Sequence, residues 1–136
     1  MHINETSFRV RYVETDQMGI VYHSNYYVWF DIGRTEFIRS IGCNYNELEK
    51  RGLILPILET HCTYKKAVRY DELVTVKTRL GDLKGVRIIF LYEVYNEGGE
   101  LVAEGSTVQA TVGRGLKPII LKKTFLDVYE KLKSCL

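Results

Sequence analysis

The sequence is poor in cysteine, and its cysteines follow no metal-binding or redox pattern. Cys43, Cys62 and Cys135 are odd in number, and no two of them stand at C-x-x-C spacing. Disulfide frameworks need paired cysteines, and zinc sites need closely spaced thiols or histidines. We therefore expect reduced thiols, a cytoplasmic protein and no metal site.

Membrane and secretion signals are also missing from the sequence. The start, Met1-His-Ile-Asn-Glu5, has neither the basic nor the apolar region of a signal peptide. No apolar run approaches the roughly 18 residues that a transmembrane helix needs. The 19 Lys and Arg against 17 Asp and Glu leave a net charge of only +2. We therefore expect neither a membrane span nor a nucleic-acid partner.

What the sequence does contain is a clear order of strands and helices. Its 136 residues and 46% hydrophobic content are typical of one domain, expected to span residues 1–136. Apolar periodicity and β-favouring composition predict strands at 8–13, 54–65, 73–81, 86–96 and 100–112, with turns at 81–85 and 96–100. Helical spacing predicts a long helix at 25–41, a short one between Asn44 and Gly52, and another at 122–135. This order predicts an α+β fold in which a five-stranded antiparallel sheet wraps around a long central helix.

The most informative segment joins the first strand to the long helix. It runs Asp16-Gln-Met-Gly19-Ile-Val-Tyr22-His23-Ser-Asn25-Tyr26. A helix N-terminus offers unpaired N–H groups to a developing oxyanion. A carboxylate in the preceding loop can act as nucleophile or as general base toward water. The combination suits hydrolysis of an activated acyl group and requires neither a metal nor a cofactor.

This segment resembles the 4-hydroxybenzoyl-CoA thioesterase family and its bacterial acyl-CoA thioesterase relatives associated with the Tol-Pal system. The family pattern Asp-x-x-Gly-x-Val-x-(His or aromatic)-x-x-Tyr is matched by Asp16, Gly19, Val21, His23 and Tyr26. A second block, residues 64–73, also resembles the family. The resemblance implies a hot-dog fold and hydrolysis of an acyl-CoA thioester to a free acid and CoA.

The resemblance also implies roles for individual residues. Asp16 would be the catalytic carboxylate, and Gly19 would let its loop turn tightly against the substrate. The backbone N–H of His23 would polarise the thioester carbonyl, while its side chain is either a second participant or an ordinary helix-start residue. The hydroxybenzoyl-specific prototype has an aromatic residue at this position, so His23 favours a short- to medium-chain aliphatic acyl group.

Two further groups of residues are candidates for substrate binding. Tyr22 and Tyr26 could contact the acyl-pantetheine arm, although aromatic residues at such positions are more often core or interface residues. The basic side chains of Lys65, Lys66 and Arg69 could hold the phosphates of CoA. The alternative for this basic cluster is a solvated surface.

The expected partners are a thioester substrate and further copies of the chain. The substrate is acyl-CoA or the corresponding acyl carrier protein thioester, and Lys84 or Arg87 could add to the phosphate site. A single curled sheet leaves edge strands exposed, which proteins normally cover. The resemblance implies a homodimer with two sites at the subunit interface, or a homotetramer.

Two other function classes remain open. A non-catalytic module that binds acyl-CoA or acyl carrier protein would keep the groove and the basic cluster but would not need Asp16. A hot-dog hydratase or dehydratase would carry a catalytic histidine near a Gly/Pro-rich loop and a carboxylate on the helix. That pattern fits less well, because neither Pro56 nor Pro118 precedes the long helix.

Overall fold

The computed structural model describes the chain from Met1 to Leu136 and contains one five-stranded antiparallel sheet. The strands lie in the order β1-β3-β4-β5-β2. Their bounds are β1 (Ile3–Arg9), β2 (Ile57–Tyr64), β3 (Leu73–Lys84), β4 (Arg87–Tyr95) and β5 (Leu101–Ala110). The helices are α1 (Asn25–Ser40), α2 (Tyr45–Lys50), α3 (Leu121–Thr124) and α4 (Leu126–Lys133). The predicted α+β class and the five-stranded sheet are confirmed. None of the helices has the length and hydropathy needed to span a membrane.

The long helix α1 packs closely against one face of the sheet. Its Phe30 ring stacks on Tyr92 of β4, with ring centroids 4.4 Å apart. Two glycines permit this approach. A Cβ on Gly33 would lie 2.5 Å from Oγ1 of Thr78 on β3, and one on Gly105 would lie 2.6 Å from the Phe30 ring. Gly33 lowers intrinsic helix stability by about 1 kcal/mol relative to Ala, and this contact with the sheet explains its presence.

The first strand lies earlier than the predicted range 8–13. It ends at Arg9, and Tyr12–Glu14 form a 3-10 turn. Val10 is buried but Tyr12 is mostly exposed, so the turn breaks the alternation that predicted a longer strand. The turn leads the chain into the loop that carries Asp16.

Other boundaries also differ from the prediction, since β2 begins at Ile57 rather than at 54 and β5 ends at Ala110 rather than at 112. The strand β3 continues to Lys84 through a bulge near Gly81, and the turn is made by Gly85, with φ of 61°. The predicted helix at 122–135 is interrupted at Phe125, whose φ of −131° and ψ of 60° are not helical. Phe125 turns into the core, and Leu126 is therefore exposed. The predicted turn at 96–100 and the short helix after Asn44 are confirmed.

Candidate active site

Asp16 lies in a tight loop between the 3-10 turn and α1. Its N–H donates to the carbonyl of Ile20, and its own carbonyl accepts from the N–H of Gly19, both at 2.9 Å. Its Oδ1 accepts from the N–H of Met18 at 2.8 Å. Gly19 has φ of 76°, a conformation that glycine adopts without strain. Gly19 therefore makes the tight turn that the resemblance implies.

The chain enters α1 through residues with unpaired backbone N–H groups. Neither the N–H of His23 nor that of Ser24 has an acceptor within the chain, whereas the N–H of Tyr22 donates to the carbonyl of Glu14 at 2.9 Å. The side chain of Ser24 does not cap the helix. The start of α1 therefore offers two free N–H donors at the end of the helix that carries a partial positive charge. Such an arrangement can stabilise an oxyanion.

Tyr64, at the end of β2, fixes the helix start from the opposite side. Its hydroxyl donates to the carbonyl of His23 at 3.0 Å. Its ring packs edge-on against the buried ring of Tyr26, with centroids 5.0 Å apart. Burial raises the pKa of Tyr26 to about 12, and burial also holds the pKa of Tyr64 above its ordinary value. Both phenols are therefore protonated at neutral pH.

One cavity of about 310 Å³ brings most of the sequence-predicted residues together. Asp16 and the start of α1 form one side, and the end of β2 with the following loop forms the other. The lining residues are Asp16, Met18, Ile20, Val21, Tyr22, His23, Tyr26, Tyr64, Lys65, Lys66 and Ala67. Two predicted residues, Gly19 and Arg69, lie outside the lining. Arg69 contacts the Asp16 loop instead, because its Nη1 donates to the carbonyl of Gly19 at 3.3 Å.

The two lysines in the cavity lining have acidic neighbours, Glu104 on β5 and Glu100 directly before it. Lys65 Nζ lies 3.5 Å from Glu104, and Lys66 forms an ion pair with Glu100. All four side chains are largely exposed, so these pairs are weak and exchange readily with solvent. An incoming phosphate would have to compete with Glu100 and Glu104 for the two lysines.

Lys84 and Arg87 lie at the other end of the sheet. Along β5, Ala103 pairs with Tyr64, next to Lys65, whereas Ala110 pairs with Arg87. The distance between these two points is about 23 Å at roughly 3.3 Å per residue. Within one chain, Lys84 and Arg87 therefore cannot join the basic cluster at the cavity, contrary to the sequence-based suggestion.

Two residues that shape this site, Tyr64 and Glu14, could not be recognised from the sequence. Tyr64 stood in the second family-like block, but its bond to His23 depends on the placement of β2 beside α1. Glu14 stood in the loop, and its burial depends on contacts with α1. No group of three His, Cys, Asp or Glu side chains converges in the structure as a metal site would.

The comparison with protein families decides where the chain belongs. Residues 10–124 match the family model described as the thioesterase-like superfamily. The chain belongs to this superfamily. The match covers the Asp16 loop, α1, the whole cavity and strands β2–β5, so the predicted family is confirmed.

Individual relatives of this superfamily cover nearly the whole chain. YneP of Bacillus subtilis, provisionally named an acyl-CoA thioesterase, is 40% identical over 98% of this chain and 100% of its own length. The acyl-CoA thioesterase YbgC of Haemophilus influenzae is 30% identical over 92% of this chain and 93% of its own. The crystal structure of a DHNA-CoA thioesterase from Staphylococcus aureus superposes with a TM-score of 0.95 at 38% identity, covering 98% of this chain and 91% of that one. The hot-dog fold of the thioesterases is thus confirmed.

Proposed function

We propose that this protein is an acyl-CoA thioesterase that hydrolyses its substrate to a free acid and CoA. The observation that carries the proposal is the cavity that unites the Asp16 loop with the start of α1. Acyl-CoA thioesterases among the relatives support the same reaction class. The family-level prediction of a thioester hydrolase from the sequence agrees with those relatives.

The proposed chemistry uses two elements of the site. The thioester carbonyl oxygen would accept from the free N–H of His23, where the partial positive charge of the helix start stabilises the developing oxyanion. The Asp16 carboxylate would then act in one of two ways. It would attack the carbonyl carbon, expelling CoA thiolate and leaving an acyl-Asp16 anhydride that water hydrolyses to the free acid. Alternatively, it would take a proton from a water that attacks the carbon, so that the C–S bond breaks and CoA leaves as the thiolate. A thioester is already activated, so these two contributions suffice without a metal.

The cavity also suggests how the substrate lies. Tyr22 is exposed at the wall and Tyr26 is buried behind it, so Tyr22 is the candidate for direct contact and Tyr26 supports the wall. The phosphates of CoA would lie at Lys65 and Lys66, whose half-exposed side chains line the cavity. The role proposed for Arg69 is to hold the Gly19 turn, since its guanidinium donates to that carbonyl.

Two acyl classes are candidates. His23 favours a short- to medium-chain aliphatic group, as the resemblance implies. The similarity to the DHNA-CoA thioesterase of Staphylococcus aureus favours an aromatic acyl group as the second candidate. An acyl carrier protein thioester remains an alternative to CoA, because both present the acyl group on the same pantetheine arm.

The active form that we propose is a homodimer or homotetramer in the cytoplasm. Strand β2 pairs only with β5, so its other edge is free, and Ile57 and Leu58 on it are exposed. Val28 and Ile32 on α1 are also exposed. Apolar residues at a free strand edge favour pairing with a second chain. The three free cysteines suit a reducing compartment.

The test is a thiol-release assay on the purified protein. Acetyl-, hexanoyl- and decanoyl-CoA would represent aliphatic substrates, DHNA-CoA the aromatic class, and a hexanoyl carrier protein the alternative carrier. The Asp16→Asn protein, purified identically, controls for contaminating hydrolases. We expect hydrolysis of at least one class by the wild type alone. Tight binding of a non-hydrolysable acyl-CoA thioether with no thiol release from any ester would instead identify a binding module.

A further inference from the structure

Glu14 is a buried carboxylate that stands two residues before Asp16. It is only 3% exposed, and Arg34 is the one other charged side chain buried in the structure. Burying a charge is unfavourable unless the charge is hydrogen-bonded. The hydrogen bonds of Glu14 therefore indicate what its carboxylate does.

The side chain of Glu14 joins the 3-10 turn to α1. Its Oε1 accepts from the backbone N–H of Arg11 at 2.8 Å. Its Oε2 accepts from the indole N–H of Trp29 at 2.7 Å. Trp29 lies near the start of α1 and is completely buried. The carboxylate thus anchors the strand side of the catalytic loop to the core of the helix.

The main chain of Glu14 makes the matching connection on the helix side. Its carbonyl accepts from the N–H of Tyr22 at 2.9 Å and from Nδ2 of Asn25 at 2.8 Å. Tyr22 directly precedes His23, and Asn25 is the first residue of α1. One residue therefore fixes both flanks of the site: the chain that leads to Asp16 and the chain that presents the free N–H of His23.

We propose that Glu14 is a positioning residue for thioester hydrolysis, holding the Asp16 loop against the start of α1. Glu14 does not line the cavity, and it acts through its bonds to Trp29, Tyr22 and Asn25. This inference rests on the proposed roles of Asp16 and His23. A displacement of about 1 Å between reacting groups can cost on the order of 100-fold in rate, so loosening this connection should lower kcat and leave substrate binding largely intact.

Three variants separate positioning from simple stability. Glu14→Gln keeps the shape but replaces one acceptor by an amide NH₂, which must face either the Arg11 N–H or the Trp29 indole. Trp29→Phe removes the bond between the indole and Glu14 from the tryptophan side and leaves the Arg11 bond in place. Thr111→Val is the matched control, because it deletes another buried hydrogen bond, from Thr111 Oγ1 to the carbonyl of Ile119 at 2.6 Å. Thr111 follows β5 at the end of the sheet opposite to the cavity.

The readouts are the melting temperature, kcat and KM for the best acyl-CoA, and the Kd of a non-hydrolysable thioether analogue. Glu14→Gln and Trp29→Phe should each lower kcat at least about tenfold, with Kd changed less than about twofold. The double variant should lose no more than the worse single variant, because the Gln amide NH₂ can then face the Phe ring and keep its oxygen on the Arg11 N–H. Thr111→Val should lower the melting temperature comparably and keep the wild-type kcat.

Several results would overturn the inference. Wild-type kcat in folded Glu14→Gln would do so, and so would an equal loss of kcat in Thr111→Val, which would make the effect one of general stability. If Glu14→Gln does not fold, the kcat and Kd of Trp29→Phe decide in the same way. Wild-type turnover in Asp16→Asn would instead overturn the catalytic role of Asp16, and this inference with it, whereas no thiol release by the wild type would overturn the proposed function. A loss in Asp16→Asn with none in Glu14→Gln would overturn only the positioning role.

Discussion

Replacing Asp16 by Asn removes the carboxylate charge and should leave the loop intact. The Oδ1 of Asp16 accepts from the N–H of Met18 at 2.8 Å, and the amide oxygen of Asn can accept the same bond. The other bonds of this residue, to Ile20 and from Gly19, are made by its backbone. Asp16→Asn therefore tests the chemistry of the carboxylate separately from the shape of the loop.

The expected effects on rate and on stability differ in size. Loss of a nucleophile or general base should lower kcat at least about 100-fold, which is about 2.7 kcal/mol of activation free energy. Exchanging a charge-assisted hydrogen bond for a neutral one costs about 1 kcal/mol of unfolding free energy. In a domain of this size that lowers the melting temperature by roughly 3–5 °C. Asp16→Ala should lose a similar factor in kcat and, in addition, the bond to Met18.

The assay is steady-state thiol release at 25 °C, far below the melting transition, with thermal unfolding followed by circular dichroism. We expect both variants to be folded and nearly inactive, with Asp16→Ala the less stable of the two. A folded Asp16→Asn protein that turns over acyl-CoA at the wild-type rate would refute the catalytic assignment. Activity that returns at high pH in aged samples would indicate deamidation of the new Asn, so mass spectrometry accompanies each preparation.

Three further predictions concern the phosphates, the assembly and the phenols. Lys65→Ala combined with Lys66→Ala should raise KM for acyl-CoA about two- to tenfold with little change in kcat. KM of this double variant should also respond less to salt than KM of the wild type. If steady-state kinetics give the same KM and the same salt response for both proteins, the two lysines are only solvated surface residues. The wild type should be a dimer or tetramer by light scattering at micromolar concentration, and a monomeric wild type contradicts the prediction. Leu58→Asp on the free edge should weaken this assembly more than the control Leu116→Asp, which changes a still more exposed leucine away from that edge. Because partial burial raises the pKa of Tyr64 above its ordinary value, its phenol stays protonated at neutral pH. Tyr64→Phe loses the bond to the His23 carbonyl and should therefore lower kcat without changing the alkaline side of the pH–rate profile. An alkaline limb that vanishes in this variant would assign the phenol a titrating role.

The type and order of the main elements could be predicted from the sequence because local patterns determine them. The strand-favouring residues of β2–β5 and the helical spacing of α1 need no tertiary information. The predicted ends of these elements were wrong where tertiary contacts override the local sequence preference. Phe125 interrupts the last helix because its ring enters the core, and the 3-10 turn replaces the end of the first strand because Glu14 bonds to Trp29.

The candidate site, too, could be predicted from the sequence only in part. Asp16, Gly19 and His23 lie within one short segment, so their types and spacing were visible in the sequence. The acidic partners of Lys65 and Lys66 could not be predicted. Lys66 and Glu100, for example, are 34 positions apart and meet only because β2 pairs with β5. Glu14 was missed for the same reason. A glutamate in a loop is usually exposed to solvent. Glu14 is buried because its carboxylate bonds to the indole of Trp29, and this contact is visible only in the folded chain.

The position of the basic residues links the phosphate hypothesis to the assembly hypothesis. Arg87 lies 3.9 Å from Glu59 of β2, near the end of that strand which is remote from Lys65. If the free edges of two β2 strands pair antiparallel, the Glu59 end of one chain comes next to the Tyr64 end of the other. Arg87 and Lys84 of a second copy would then approach the cavity that their own chain cannot reach. A phosphate site built from both groups of residues therefore requires a dimer, and disrupting the edge with Leu58→Asp should raise KM in parallel with the loss of assembly.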